Sequence, residues 1–469
     1  MKILLLNPPV PETYYTKEFY LPSGLLYLAA AIKDAGSEVA LLDLKCTKYQ
    51  EAVQKGERYQ NIIVSKIRKF APELIGIGCL FSGNFPSMLH YSQIIKKIFP
   101  NVHIVIGGIH PTIYAHKILE KCPSIDSIIL GEGEDTIVKL VQCLEDDQSK
   151  HLEDIDGLAY RKDNSIIINP KKYFIDNIDT ISFPAYDLVR MDNYFVDTSD
   201  WHNPKKLPIH TSVPIISSRS CPNRCNFCSM YQAMGPRWRP RTAENVVDEI
   251  EHIYKTYNLQ HFSFMDDNFS LNKRRTLAIC QEILSRKLDI QFETPNGLAI
   301  ATLDEEVLDA MVQAGLVRIS LAIESGSDFI RNKIMRKRLS RERIYDVLRL
   351  TQKYPHLYVR AFFIMGMPEE TIKTLEKTYQ MIKDIDVDRI YLSNVVPFPG
   401  TEVFEQASRD HLLLDLDPDT LYKSDALYLT NYDRIFVKPY DLELEELRKF
   451  RARCDELIAR KKRLPPYRA

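Results

Sequence analysis

The sequence predicts an α/β protein in two parts: a doubly wound, Rossmann-like parallel sheet, then a partial (β/α)6 barrel of TIM type. Three observations carry this. Over residues 1–150, short apolar runs of strand length alternate with stretches of helical period. Over 213–411 the alternation resumes for about six strand-helix units. The length, 469 residues, exceeds one ordinary core, and hydrophobic residues at 45% can fill more than one.

Lys2 to Leu6 reads as a strand, and Leu25 to Ala35 has helical apolar spacing that stops at Gly36. Glu38 to Leu44 is the second strand. The series continues with a helix over Tyr59 to Phe70, a strand over Leu74 to Cys79, a helix over Pro86 to Phe99 and a strand over His103 to Gly107. A short helix from Pro111, a strand over Ser127 to Leu130 and a helix over Asp135 to Leu144 complete it. Such a sheet is covered on both faces and takes ligands at the carboxyl ends of its strands. The loops after those ends are Asn7-Pro8-Pro9, Gly78-Cys79-Leu80-Phe81-Ser82-Gly83, Gly107-Gly108-Ile109-His110-Pro111-Thr112 and Gly131-Glu132-Gly133-Glu134. Glycine lets backbone approach a ligand, and helix N-termini offer free N–H groups. A generic nucleotide-type sheet shows similar glycines.

Residues 151–212 read as a linker with a small hairpin, in which Gly157 to Tyr160 and Ser165 to Ile168 alternate around Lys162-Asp163-Asn164. A polar stretch with Trp201, His202, Pro204 and Pro208 follows; Tyr194 and Trp201 are candidates for a substrate entrance or for linker packing. In the barrel half a strand precedes Cys221, Thr242 to Tyr257 is a helix, and His261 to Met265 is a strand ending at Asp266-Asp267-Asn268. Strand and helix repeat through Gln291 to Thr294, Asp304 to Ala314, Val317 to Ile323, Ser340 to Tyr354, Tyr358 to Met365, Thr371 to Ile385 and Arg389 to Val395. Residues 412–469 form an extension with Tyr422, Tyr428, Tyr432 and Tyr440, an amphipathic helix over Leu442 to Lys461, and a basic run ending at Lys462-Arg463 that reads as solvated.

A formal charge of -1 argues against broad electrostatic capture of nucleic acid, and no apolar run reaches membrane-spanning length. The start, MKILLLNPPVPETYY, lacks the pattern of a signal peptide. Nine cysteines, an odd number and mostly scattered, suit a reducing cytoplasm better than a disulfide framework. Three of them, Cys221, Cys225 and Cys228, stand at C-x3-C-x2-C spacing directly after a strand. Thiolates on one tight loop favour an iron-sulfur cluster or zinc over hard cations. A closed zinc site needs a fourth ligand, for which only His202 or His210 stands nearby, and not at finger spacing; a redox loop is the other alternative.

The motif Cys221-x3-Cys225-x2-Cys228, with Phe227 before the last cysteine, resembles the signature of the radical S-adenosylmethionine (SAM) enzymes. The resemblance implies a [4Fe-4S] cluster with one open iron that chelates SAM, Phe227 near the adenine, and reductive cleavage of SAM to a 5'-deoxyadenosyl radical. It implies an acceptor for the SAM amino group at Asp266 or Asp267, contacts to ribose and methionine at Glu324 and Ser325 in Glu324-Ser325-Gly326-Ser327, and an arginine for the SAM carboxylate at Arg331 or Arg338. Gly366, in Ile364-Met365-Gly366-Met367-Pro368-Glu369, resembles the adenine-side strand, and Pro397-Phe398-Pro399-Gly400-Thr401 the last strand end. An adjacent glycine pair after the second barrel strand is missing; Asp266-Asp267 stands there instead. Trp238, Arg239 and Arg241 follow the loop as candidates to shield the cluster, or as surface arginines.

The first 150 residues look like the cobalamin-binding domain of one large radical SAM subfamily. The likeness rests on Gly107-Gly108-x-His110-Pro111-Thr112 and Gly131-Glu132-Gly133-Glu134, with Gly78 and Ser82 in the preceding loop. No D-x-H-x-x-G motif occurs, so cobalamin held without a histidine on cobalt is implied, with His110 lining the site or packing the loop. A domain that has kept the fold and lost the cofactor is the alternative. The resemblance implies methylation of an unactivated carbon of a small-molecule or lipid substrate, or else cyclisation, oxidation or rearrangement. It also implies an external one-electron donor such as flavodoxin or ferredoxin. A methylthiolating enzyme acting on RNA would carry further cysteines and a basic C-terminal domain that are not seen.

Overall fold

The computed structural model describes residues 1–9, 20–80, 82–145, 149–163, 165–194, 207, 211–424, 426–427 and 433–461. Phe81, Asn164, Trp201, His202, Pro204, Pro208, His210, Tyr428, Tyr432, Lys462 and Arg463, named above, lie outside them. The chain forms two units. One comprises Met1–Val196, Gln232–Gly235 and Asp417–Thr430; the other comprises Asp197–Tyr231, Pro236–Leu416 and Asn431–Ala469.

The first unit runs β1 (Lys2–Asn7), α1 (Ser23–Asp34), β2 (Glu38–Asp43), α2 (Thr47–Gln54), α3 (Tyr59–Phe70), β3 (Leu74–Gly78), α4 (Phe85–Ile98), β4 (His103–Gly107), α5 (Ile109–Lys121), β5 (Ser127–Ile129), α6 (Glu134–Glu145), β6 (Leu158–Lys162) and β7 (Ser165–Ile168). The sheet order is β2-β1-β3-β4-β5-β6-β7, with the first five strands parallel. β1 shows why helices must cover both faces. Ile3 and Leu5 enter one core with α1 and α6, Leu4 and Leu6 the other with α3, α4 and α5, and each fully buried side chain contributes about 2 kcal/mol. The order reverses between β1 and β3, which places the ligand crevice of such a sheet at their carboxyl ends.

The second unit runs β8 (Val213–Ile215), β9 (Ser218–Arg219), the start of α7 (Met230–Met234), whose last three residues belong to the first unit, β10 (Arg239–Pro240), α8 (Ala243–Tyr257), β11 (His261–Phe264), α9 (Lys273–Ser285), β12 (Gln291–Leu298), α10 (Glu305–Gln313), β13 (Leu316–Glu324), α11 (Arg341–Thr351), β14 (Tyr358–Met365), α12 (Ile372–Asp384), β15 (Arg389–Asn394), α13 (Glu402–Arg409) and α14 (Leu444–Lys461). Six strands are parallel in the order β15-β14-β13-β12-β11-β8, so each new strand adds beside the last and the sheet curls into an open barrel. Thr242, Asn272, Asp304, Ser340, Thr371 and Thr401 cap α8 to α13, each side chain accepting from a first-turn amide, worth about 1 kcal/mol apiece. On β14, Val359, Ala361, Phe363 and Met365 are at most 1% exposed on the helix-covered face. Arg360, Phe362 and Ile364, on the concave face, are half-buried.

Two expectations change. The hairpin assigned to a linker is β6–β7, which extends the first sheet: β6 pairs antiparallel with β5 through Ile128↔Ala159. The C-terminal extension also divides, since Asp417–Thr430 belongs to the first unit while α14 packs on α12, with Arg453 over the Tyr379 ring at 3.8 Å. Among the described residues no helix is long and apolar enough to cross a membrane.

Candidate active site

The cysteine loop leaves β9 and returns through β10, and the ladder Arg219↔Arg239 and Ser218↔Pro240 closes its base. All three thiols are free, Cys225 buried and the others half-buried. Burial pushes Cys225 up to about 11 and Cys228 up to about 12, the state of a metal-free loop. Ser220 and Arg224 hold left-handed backbone (φ 68° and 47°), and so do Glu324, Arg336 and Arg338 (69°, 60° and 55°). Such strain in residues other than glycine collects where a site is over-determined.

Around the loop stand the carboxyl ends of β11, β13 and β14. Asp267 is half-buried and pushed up to about 6 by burial and by Asp266; its charge acts on the Cys221 and Cys228 thiols. Asn268, 1% exposed, has no oxygen or nitrogen partner for either amide atom among the described residues, and its side chain lies beside the Cys221 thiol, favouring the thiolate. Glu324 accepts from Lys337 Nζ at 2.6 Å, and the ammonium faces Cys225 and Cys221 as well. Gly366 has φ 85°, and its amide, with that of Met367, is held by the Glu370 carboxylate. Phe227 is half-buried within the loop.

At the carboxyl edge of the first sheet, Gly108 has φ 126°, and a Cβ there would lie 2.2 Å from the Cys79 carbonyl oxygen, so only glycine allows the two loops to touch. Gly78 and Gly107 would meet ordinary contacts, Gly131 has φ 65°, and Gly133 packs on Leu28. His110 is 1% exposed: Nε2 donates to the Tyr422 carbonyl at 2.8 Å, and Nδ1 lies 2.9 Å from Ser82 Oγ. Leu80, 55% exposed, offers apolar surface just past β3, where the crevice opens.

Residues 215–382 match the model of the radical SAM superfamily and residues 16–141 that of the B12 binding domain. An uncharacterized methyltransferase of Pyrococcus horikoshii is 31% identical over 422 residues, covering 89% of this chain and 85% of that protein. The chain belongs to the cobalamin-binding-domain radical SAM family. The anaerobic magnesium-protoporphyrin IX monomethyl ester cyclase of Synechocystis is 28% identical over 444 residues, 93% of this chain and 84% of that protein. A radical SAM methyltransferase of Kitasatospora setae, solved with cobalamin and a [4Fe-4S] cluster, has the same fold, with a TM-score of 0.74, 18% identity and coverage of 99% and 91%.

A [4Fe-4S] cluster, SAM and cobalamin are therefore the cofactors of this radical SAM enzyme. The residues fit them: three free thiols with an unbonded buried amide beside them suit a cluster, whose sulfurs need such donors. Among the described residues no three such side chains converge at the spacing of a single ion. The exposed Leu80 suits the apolar face of a corrin.

Several residue assignments change. Arg331 is fully buried, its guanidinium donating to the Leu339 and Ser325 carbonyls and to Asp328, so it presents no face to a SAM carboxylate. Asp266 accepts from the Ser217 amide at 3.2 Å, from Ser217 Oγ at 2.8 Å and from Ser218 Oγ; it staples β11 to the strand before the cysteines, leaving Asp267 to face them. Ser325 is buried against Thr378. His110 packs the loop, both nitrogens taken, and Glu132, also buried, accepts from the Ile175 amide. Arg239 and Arg241 are 5% exposed, and Arg241 clamps Glu249 and the Ile216 carbonyl. Arg338 is exposed. Lys337 escaped the sequence reading because nothing in the basic run Arg336-Lys337-Arg338 marks the residue that turns inward.

Proposed function

We propose that the chain is a cobalamin-dependent radical SAM C-methyltransferase acting on a small molecule or lipid. The observation that carries this is one chain holding a three-thiol loop at barrel strand ends and a doubly wound sheet with an apolar crevice edge. When bound, the reduced cluster with SAM supplies a 5'-deoxyadenosyl radical, and cobalamin supplies a transferable methyl group.

The chain's own residues position and shield. Cys221, Cys225 and Cys228 would hold three irons, and Asn268 would donate toward the sulfur of Cys221. Asp267 and the Lys337–Glu324 pair stand beside the thiols, where one carboxylate would suit the SAM ammonium and the lysine its carboxylate. Gly366 and Phe227 would border the adenine. The carboxyl ends of β1, β3 and β4 would carry the corrinoid, with no histidine for cobalt since His110 is locked. A first catalytic part that runs past residue 150 to take in β6–β7, a second over 213–411, a cytoplasmic setting, a flavodoxin- or ferredoxin-type donor and no nucleic-acid partner complete the proposal.

The test is anaerobic reconstitution with methyl-labelled SAM and a low-potential reductant. Iron, sulfide and corrinoid in the protein, with label carried into the corrinoid fraction, are expected. A Cys225→Ala variant should lose bound iron and form less than about 1% of the wild-type 5'-deoxyadenosine, as removal of a required group predicts. The similarity to a cyclase favours one second reading, radical cyclisation. Deoxyadenosine formation with no label reaching the corrinoid would favour it.

A further inference from the structure

The concave face of the barrel sheet carries charges that the cofactor sites leave unused. Toward the amino ends of β12 and β13, Glu293, 2% exposed, receives the Arg318 guanidinium and the Ser263 hydroxyl, the latter at 2.7 Å. Burial alone would raise this carboxyl, but Arg318 and Arg360 hold it below the usual range. One strand on, Arg360 Nε donates to Ser320 Oγ at 2.9 Å. Arg360 Nη2 stands 3.9 Å from Glu293 Oε2, too far for a hydrogen bond, and it is buried without a hydrogen-bond partner among the described residues. His261 is held neutral, since burial pulls it down to about 4. Arg318 faces Glu293 directly, whereas Arg360, a guanidinium that never deprotonates, keeps a buried N–H group with no acceptor among the described residues. A buried charged donor without an acceptor is unfavourable, and a ligand that accepts from it removes that penalty.

The surroundings suit a ligand. Above Arg360 the concave positions Phe362 and Ile364 on β14 and Tyr391 and Ser393 on β15 are half-buried, while their helix-side neighbours are closed off. Phe362 and Tyr391 meet edge to face at 5.5 Å, forming one apolar wall. From Arg360 to Ile364 the strand rises about 13 Å, toward the ends where SAM would bind.

We propose that this wall and its charged floor form the substrate site, with a carboxylate- or phosphate-type group seated on Arg360 and an apolar body lying along Phe362, Ile364 and Tyr391. The substrate class is thus an elongated amphiphile whose anionic group lies roughly 10 Å or more from the reacting carbon, as the strand rise requires. That last distance rests on the function proposed above; the anion seat does not.

The test is calorimetric titration of the reconstituted wild-type enzyme with four probes of one chain length, all below micelle concentrations: octyl phosphate, octanoate, octanol and octylamine. One charge-assisted seat predicts about tenfold tighter binding of an anionic probe than of octanol, and none of octylamine. The stronger of the two anions distinguishes phosphate from carboxylate. Arg360→Met should erase the preference, and Arg360→Lys, which keeps the charge and loses the fork, should retain part of it. Octanol and both anions binding within twofold of one another in the wild type would overturn the seat. So would an Arg360→Met protein with a normal unfolding transition that keeps the preference. If Arg360→Met does not fold, the wild-type and Arg360→Lys titrations decide. Iron, sulfide and corrinoid counts on the same wild-type material report separately on the cofactor reading.

Discussion

Lys337 shows how much one side chain can carry. It and Glu324 have side-chain exposures of 12% and 8%, and removing one member of so buried a pair strands the other beside the thiols. Lys337→Met should cost about 3 kcal/mol of stability, and adding Glu324→Gln should restore part of it; a urea denaturation cycle reads both. The buried histidines give a pH dependence. His110 and His261 are held near 4, below the unfolded value of 6.5, so between those limits the unfolded chain binds more protons. Their stabilisation is complete above about pH 6.5 and is lost as pH falls toward 4, up to about 3 kcal/mol per histidine. Glu370 runs the other way. Burial raises it to about 8, so its contribution is complete below 4.5 and lost as pH rises through 8. Urea midpoints between pH 4 and 8, with Glu370→Gln as the control that removes the opposing trend, test both signs. At this scale the sequence showed which residues carry chemistry but not which way they face: Arg331 and Asp266 are consumed by the fold because their neighbours' carbonyls and hydroxyls lie within reach.

Elements were more legible. The periodicity of the apolar runs foretold the doubly wound sheet and the six-stranded open barrel, because each strand and helix is specified by local spacing. The β6–β7 hairpin was visible as a hairpin, but its pairing with β5 depends on residues some thirty positions away, which no local pattern encodes. The segment Glu324-Ser325-Gly326-Ser327 illustrates the difference between a motif and its packing. A Cβ on Gly326 would lie 2.3 Å from the Lys377 carbonyl oxygen, so this loop rests directly on α12. Gly326→Ala should cost about 2 kcal/mol or more through backbone displacement. Gly24, in α1, would meet nothing within 4 Å, so Gly24→Ala should be neutral or stabilise by about 0.5–1 kcal/mol. Melting temperatures of the two variants check the contrast.

On the scale of the whole molecule, the chain visits its first unit three times. The last visit brings Tyr422 into the core with Phe85 and Tyr114, places Lys117 over its ring at 5.4 Å, and offers its carbonyl to His110. Tyr422→Ala should destabilise the first unit by about 3 kcal/mol, within the usual range for emptying an aromatic from a core. It should also make His110 reactive toward diethylpyrocarbonate; an unchanged unfolding midpoint together with a protected imidazole would count against this view of the contact.

This return has a consequence for how the protein is made. The ribosome must add roughly 250 residues after the last strand of the first unit's β-sheet, β7, before Tyr422 arrives, which at about 5–20 residues per second is on the order of ten seconds or more. Throughout that interval the nascent sheet carries an unfilled aromatic slot, a surface for a chaperone to cover until synthesis nears its end.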